Sequence, residues 1–423
     1  MNKQNVLIFP CGSEIALEVH RSLKYSTHFN LIGANSTDDH GKFIFENYIG
    51  DLPFADAPDF MCKLKEIVIQ YDIDLIYPAM DSVIALLKTN EEELNCKVVG
   101  SDAATTELCL SKKKTYDVLR EIVKVPTVYT ENIIYPAFAK PIIGYGSRGA
   151  KKINNELELL THQAEFADLI ITEFLPGKEY TIDCFTDRNG HMRFCKARTR
   201  NRISNGISVN TFETKDSEND FINFAKKINE SIPLRGAWFF QVKRDSKNEL
   251  VLLEIASRLG GSSSLFRNTG INFAMLTVFD ILNYDVEIIE NQYEIELDRA
   301  LDNKYRTSIK YNEVFVDFDD CLLLNGQFFN VDLMKFIFQC INQKVKLTLI
   351  SRHEGDLEER LKVMKIHPLF DRIIHIKDQQ PKSVYIDNAN CIFIDDSFAE
   401  RKEVQLNKKI SVFSPDMIEC LLN

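Results

Sequence analysis

Three stretches of this 423-residue chain carry residue types that could handle phosphate. The first, 140–149, reads Lys-Pro-Ile-Ile-Gly-Tyr-Gly-Ser-Arg-Gly. Glycines let backbone N–H groups approach a phosphate closely, and a lysine adds a compact positive charge. Taken alone, the stretch reads equally well as a glycine hairpin. The second, 170–181, ends an apolar strand in Glu173-Phe174-Leu175, turns at Pro176-Gly177 and re-enters a strand at Glu179. Such a corner can hold a purine through backbone groups, with Glu179 accepting from ribose hydroxyls. The third pairs Phe240-Gln241-Val242 with 253–262, Leu-Glu-Ile-Ala-Ser-Arg-Leu-Gly-Gly-Ser. Adjacent strands would set Gln241 beside Glu254 as oxygen donors, and Mg2+ takes one or two carboxylates plus substrate phosphates. Arg258 could neutralise charge that develops during phosphoryl transfer.

A separate acidic set follows. Residues 313–316 run into Asp317-Phe318-Asp319-Asp320-Cys321-Leu322, 346–350 end in Ser351-Arg352, and 391–394 end in Asp395-Asp396-Ser397. Carboxylates packed at a strand edge repel one another, so a bound cation is the natural explanation. His353-Glu354 reads as a loop pair.

Alternating patterns must position these residues. Strands at 5–9, 30–34, 75–78 and 97–100 alternate with helices at 14–23, 59–71 and 83–94, which predicts a parallel sheet covered by helices. Strand one ends at Pro10-Cys11-Gly12-Ser13, either a ligand-binding turn or a plain strand-to-helix turn; it is not G-x-G-x-x-G. A helix with a basic start is expected over 111–123. From 137 the pattern changes to short strands (169–175, 179–186, 193–196, 237–244, 250–255) with helices near 220–230 and 273–282. The charged stretch 291–310 reads as a linker with some helix. Strand–helix alternation then resumes from 313.

In order and spacing, the three phosphate stretches resemble the ATP-grasp superfamily, in its carbamoyl-phosphate-synthase-like branch, over roughly residues 1–300. The resemblance implies a Rossmann-like domain at 1–110 and an ATP-grasp domain at 111–300. It makes Lys112 and Lys140 the ATP-contacting lysines, with Gly146 and Ser147 in the phosphate loop. Glu173, Phe174 and Leu175 match the adenine hinge, Glu179 the ribose acid, and Gln241 and Glu254 the metal ligands. Arg258 matches the arginine of the family's Glu-Ile-Asn-Pro-Arg motif. The motif's asparagine is Ala256 here and its proline Ser257, so a second Mg2+ would be held differently. The basic stretch 196–202, with Gly206, lies where the family places substrate and phosphate contacts. Arg198 and Arg202 are the candidates there, against the alternative of a solvated loop.

The acidic set resembles the haloacid dehalogenase (HAD) superfamily over 312–423, with its four motifs in order, after a linker at 301–311. The resemblance implies Asp317 as nucleophile, Asp319 as general acid/base and Ser351 as phosphoryl-binding. Lys382 is the charge-neutralising lysine, with Lys377 a rival. Asp317, Asp319, Asp395 and Asp396 would form the Mg2+ site. About thirty residues separate the first two motifs, too few for a folded cap.

The expected fold is thus a multidomain α/β and α+β chain: Rossmann-like, ATP-grasp, then a HAD-like Rossmannoid domain without a cap. The expected function is an ATP- and Mg2+-dependent ligase. It would join a small carboxylate to an amine through an acyl-phosphate, with an associated aspartate-nucleophile phosphatase. A phosphotransferase and a nucleotide-binding scaffold are the alternatives. The net charge of -11 argues against a nucleic-acid partner. No stretch approaches the roughly 18 apolar residues of a membrane span. Nothing at the N-terminus reads as a signal peptide, and the ten scattered cysteines suit a reducing cytoplasm. The resemblance allows a homodimer, since relatives of this type are often dimers.

Overall fold

The structure is a computed structural model that describes residues 3–144, 146–204, 206–216, 218–300 and 303–422. Strands β1 (Gln4–Phe9), β2 (Phe29–Ala34), β3 (Asn47–Ile49), β4 (Leu75–Pro78) and β5 (Lys97–Val98) form a parallel sheet in the order β3-β2-β1-β4-β5. The last four residues of β1 are all buried, as a central parallel strand covered on both faces requires. Chain order reverses on either side of β1, so the carboxyl ends of β1 and β4 open a crevice. The turn Gly12-Ser13 lies there. Ser13 caps the helix Glu14–Leu23 by accepting from the Ala16 N–H. Gly12 before it leaves room for the Asp39 carboxylate, which a Cβ there would approach to 1.8 Å and displace.

The middle of the chain is antiparallel. Strands β6 (Ala137–Pro141), β7 (Lys151–Ile153) and β8 (Leu169–Glu173) form one sheet in the order β7-β6-β8. Next in the chain come β9 (Glu179–Thr186), β10 (Met192–Thr199), β11 (Arg202–Ser204), β12 (Ile207–Phe212), β13 (Gly236–Arg244), β14 (Leu250–Ala256), β15 (Ile295–Arg299) and β16 (Asn303–Thr307). They divide between a β10-β9-β13-β14 sheet and a β11-β12-β15-β16 sheet.

Two expectations fail here. The stretch 291–310, expected as a linker with some helix, supplies the hairpin β15–β16, whose alternating residues complete a sheet. The single helix expected over 111–123 is Lys112–Leu119, preceded by a helix at Ala103–Leu110. Ser111 separates the two and caps the second by accepting from the Lys114 N–H.

A second parallel sheet follows, built from β17 (Glu313–Val316), β20 (Lys346–Ser351), β21 (Arg372–His375), β22 (Cys391–Ile394) and β23 (Ser411–Phe413), in the order β21-β20-β17-β22-β23. Between β17 and the helix Val331–Asn342 there is only the small hairpin of β18 (Leu323–Leu324) and β19 (Phe328–Phe329).

One hydrophobic cluster runs through all three parts of the chain, from Val6 and Ile8 through Phe266 and Leu297 to Val314, Ile418 and Leu421. Arg267 lies inside it, 1% exposed. Its Nε donates to Glu18 of the first sheet's helix at 2.7 Å, and its two Nη atoms donate to the Asp416 carbonyl and the Glu419 carboxylate. A buried guanidinium is tolerable only when surrounded in this way. Removing one partner of such a group costs roughly 3–5 kcal/mol.

Candidate functional site

The residues expected to contact ATP come together in one cavity between the β7-β6-β8 and β10-β9-β13-β14 sheets. Lys112, Lys140, Gly146, Ser147, Glu173, Phe174, Leu175, Glu179, Gln241 and Glu254 all line it. Lys140 leaves β6 and is nearly buried. Its Nζ donates to the Tyr116 hydroxyl at 2.7 Å and to the Leu253 carbonyl at 3.1 Å. Burial pushes its pKa down to about 8. Lys112 starts its helix, with Nζ 3.5 Å from Glu254 Oε2. Gln241 and Glu254 are direct cross-strand partners of β13 and β14. They therefore present an amide oxygen and a carboxylate from the same face.

The roof is backbone. Gly146 and Ser147 both take left-handed φ angles, 58° and 55°. Gly206 packs against them so closely that a Cβ would sit 2.4 Å from Ser147 Oγ. Phe174 has Lys152 Nζ 4.6 Å above its ring, a cation–π contact at the mouth. The Glu173 carboxylate is occupied, accepting from the Thr127 N–H at 2.8 Å. This side chain braces the hinge, leaving the neighbouring backbone to face the cavity.

Three candidates lie outside this cavity. Arg198 is buried against Asp183, its Nε donating at 2.6 Å. Arg202 is exposed and pairs with Asp298. Within the basic stretch 196–202 the arginine that lines the cavity, as Arg148 also does, is Arg200, 2.8 Å from Glu179 Oε1, with Nη2 donating to the Gly206 carbonyl at 2.9 Å. The sequence missed it because the alternation breaks there: β10 ends at Thr199 in one sheet, and β11 begins at Arg202 in another. Arg258 grips both oxygens of Asp81 at 2.8 and 2.7 Å, bridging to the carboxyl edge of the first sheet.

The acidic residues form a second cluster at the carboxyl edge of the last sheet. Ligand oxygens of Asp317, Asp395 and Asp396 lie within 4.8 Å of one another. Lys382 donates to Asp317 and to Asp395, both at 2.7 Å. Burial and the facing Asp395 drive Asp317 well above the usual carboxylate range. Burial and then Asp395 push Asp396 up to about 6. One lysine against three carboxylates leaves excess negative charge, which suits a divalent cation.

Lys377 lines an open groove with His353 and His375, while Lys382 is the lysine in contact with the carboxylates. The Asp319 carboxylate is outside the three-acid cluster. It is held by His353, whose Nδ1 is 2.9 and 3.0 Å from its two oxygens. His353, expected as part of a loop pair, is thus part of the site. Ser351 Oγ lies 3.5 Å from Asp319.

A family model described as ATP-grasp in the biosynthetic pathway with Ter operon matches residues 165–303. No curated protein matches. Among solved structures, the biotin carboxylase domain of Hydrogenobacter thermophilus 2-oxoglutarate carboxylase, with MgADP and bicarbonate, aligns at TM-score 0.58 and 17% identity over 70% of this chain and 74% of that one. The L-amino acid ligase of Bacillus licheniformis aligns at 0.58 and 16%, over 70% and 79%. The N5-carboxyaminoimidazole synthetase of Staphylococcus aureus with ADP aligns at 0.59 and 16%, over 71% and 83%. Identities this low carry the fold alone, and with the matched family model they give one conclusion: residues 165–303 match an ATP-grasp family within an ATP-grasp-like fold.

Proposed function

We propose that the chain is an ATP- and Mg2+-dependent ligase that joins a carboxylate to an amine through an acyl-phosphate. The carrying observation is the single cavity that gathers Lys112, Lys140 and Lys243, a glycine roof, the acidic Glu179 and a Gln–Glu donor pair from six separate stretches of chain. In this reading Phe174 and Leu175 receive the base, and Glu179 receives ribose once Arg200 yields it. Lys112, Lys140 and the Gly146–Ser147 backbone hold the phosphates. Gln241 and Glu254 would hold Mg2+, which spreads the negative charge of the phosphates when bound. The γ-phosphoryl group passes to a substrate carboxylate, and an amine then displaces phosphate. The protein supplies alignment and charge. The domain division is proposed at 1–110, 111–300 and 312–423.

The C-terminal part we read as a HAD-like phosphatase, supported by the Asp317–Lys382–Asp395 cluster and the position of Asp319 two residues beyond the nucleophile. Asp317 attacks phosphorus, and the leaving oxygen takes a proton from Asp319. Asp319 then removes a proton from the water that releases phosphate and regenerates Asp317. The residues of the cluster would hold Mg2+ as a charge-neutralising partner of the phosphoryl oxygens.

The deciding experiment incubates the protein with ATP, Mg2+ and pooled amino acids and carboxylates, with products read by mass spectrometry. A dehydrated adduct with ADP, lost in Glu254→Gln, upholds the ligase. ADP without an adduct would move the reading to phosphotransfer. A specific observation favours a nucleotide-binding scaffold as the second reading: Ala256 offers no donor, and Arg258 is committed to Asp81. Nucleotide binding with no turnover would establish it.

A further inference from the structure

The proposed acid/base of the C-terminal site is a side chain with a problem. The Asp319 carboxylate is 45% exposed and lies outside the Asp317–Asp395–Asp396 cluster. An exposed carboxylate samples several rotamers, whereas proton transfer needs it within hydrogen-bond reach of the leaving oxygen.

His353 supplies the missing restraint. Its Nδ1 is shared between the two Asp319 oxygens at 2.9 and 3.0 Å. A carboxylate oxygen without a proton only accepts, so the Nδ1–H tautomer of the imidazole is the one that holds it. One contact holds the imidazole and two hold the backbone that carries it. Its ring stands edge-on to Phe318 at 5.3 Å and 86°. Its backbone N–H donates to Ser351 Oγ at 3.2 Å, and its carbonyl accepts from His375 Nε2 at 2.9 Å. Phe318 is the residue between nucleophile and acid, and Ser351 is the proposed phosphoryl-binding hydroxyl. The side chain that aims Asp319 is therefore fixed by the same two strand ends that carry the reaction.

We propose that His353 is a positioning residue for Asp319, fixing the rotamer from which the carboxyl group gives its proton to the leaving oxygen and recovers one from water. The proposal rests on the phosphatase reading. His353 touches no reacting atom; it acts through Asp319 alone. Because the restraint comes from a donor at the Nδ1 position, an asparagine at 353 reproduces it, since its amide nitrogen lies at the same distance along the side chain. A glutamine places its nitrogen near the Nε2 position and does not.

The test uses the full chain with β-glycerophosphate, an alkyl ester whose leaving group needs a proton. His353→Ala is expected to lower kcat about 10- to 100-fold, the usual cost of losing an orienting partner, with KM moved less than about threefold. His353→Asn should recover most of the loss and His353→Gln should not, at equal melting temperatures for the two. Unchanged kcat in His353→Ala overturns the proposal. So does a parallel fall in Asn and Gln variants that tracks lost thermal stability, which would make His353 a structural residue only. Asp317→Asn is run beside them. If phosphatase activity survives it, the phosphatase reading fails and this proposal with it. If activity is abolished by Asp317→Asn and indifferent to His353, only the positioning role is wrong.

Discussion

The ligase-type cavity and the acidic C-terminal cluster solve opposite electrostatic problems. In the cavity the lysines are loosely paired with carboxylates: Lys112 is 3.5 Å from Glu254 and Lys243 is 3.9 Å from Glu179, while Arg200 holds Glu179 closely, at 2.8 Å. Its cations keep most of their charge for an incoming polyanion. In the cluster Lys382 contacts two carboxylates at 2.7 Å, deep in the sheet edge. There the one lysine is committed to two carboxylates before any ligand arrives, and Asp396 is left over as excess negative charge. The difference follows from construction. The cavity draws on six stretches of chain, so its walls can adjust. The cluster sits on the ends of neighbouring parallel strands, β17 and β22, whose register holds the carboxylates rigidly. A loosely paired site should respond to ligand and pH, and a tightly paired one mainly to loss of a member.

That contrast can be broken most sharply at the cluster. Asp317→Asn is expected to remove phosphatase turnover by about 10³-fold or more while leaving ATP-dependent ligation unchanged. A fall in both activities would mean that the two sites are one machine. In the cavity, Glu254→Gln is expected to lower ligation about 100-fold, on the scale of losing one metal-orienting group. Its effect on nucleotide binding, read by calorimetry, should be much smaller.

The next effect is one of pH. Lys140 has its pKa lowered by burial to about 8, against an ordinary 10.5. Above pH 8 the folded chain has shed this proton and the unfolded chain keeps it. This group's contribution to stability therefore rises with pH between 8 and 10.5. Phosphate binding needs the ammonium form, so nucleotide affinity should run the other way. It should weaken by up to about tenfold per pH unit above that value, and Lys140→Arg should flatten the profile. The smallest expected effect separates two arginines. Arg202→Ala, at an exposed pair, should change stability by no more than about 0.5 kcal/mol and leave nucleotide affinity alone. Arg200→Ala should weaken nucleotide binding several-fold.

Where the sequence was informative, it was because one strand end or one turn carried the signal. Gln241 and Glu254 were readable as neighbours because each sits near the middle of an apolar strand, and the pairing of β13 with β14 sets them opposite. Asp317, Asp395 and Ser351 were readable because parallel strands deliver their last residues to one edge. The rest depends on tertiary pairing that no local pattern encodes. Arg198, Arg200 and Arg202 share a parity, yet Arg198 is buried against Asp183, Arg200 faces the cavity and Arg202 meets solvent, because the chain changes sheets between them. His353 looked like loop filler because its partner is 34 residues away. The hairpin β15–β16 looked like linker because Glu296, Asp298 and Arg299 dilute the alternation of Ile295 and Leu297, the buried positions of β15.

Arg267 and the shared core around it also bear on how such a protein is made. Glu18 leaves the ribosome early, Arg267 past the midpoint, and Glu419 only after some four hundred residues have been joined. Until the segment Pro415–Leu421 emerges, the guanidinium lacks two of its acceptors, and the apolar faces beside β1 lack their cover. The nascent chain therefore carries a partly finished interior through most of its synthesis. Messages truncated late in the reading frame should yield products that chaperones retain and proteases clear. Selection would then act on both chemistries together, as a single inherited unit.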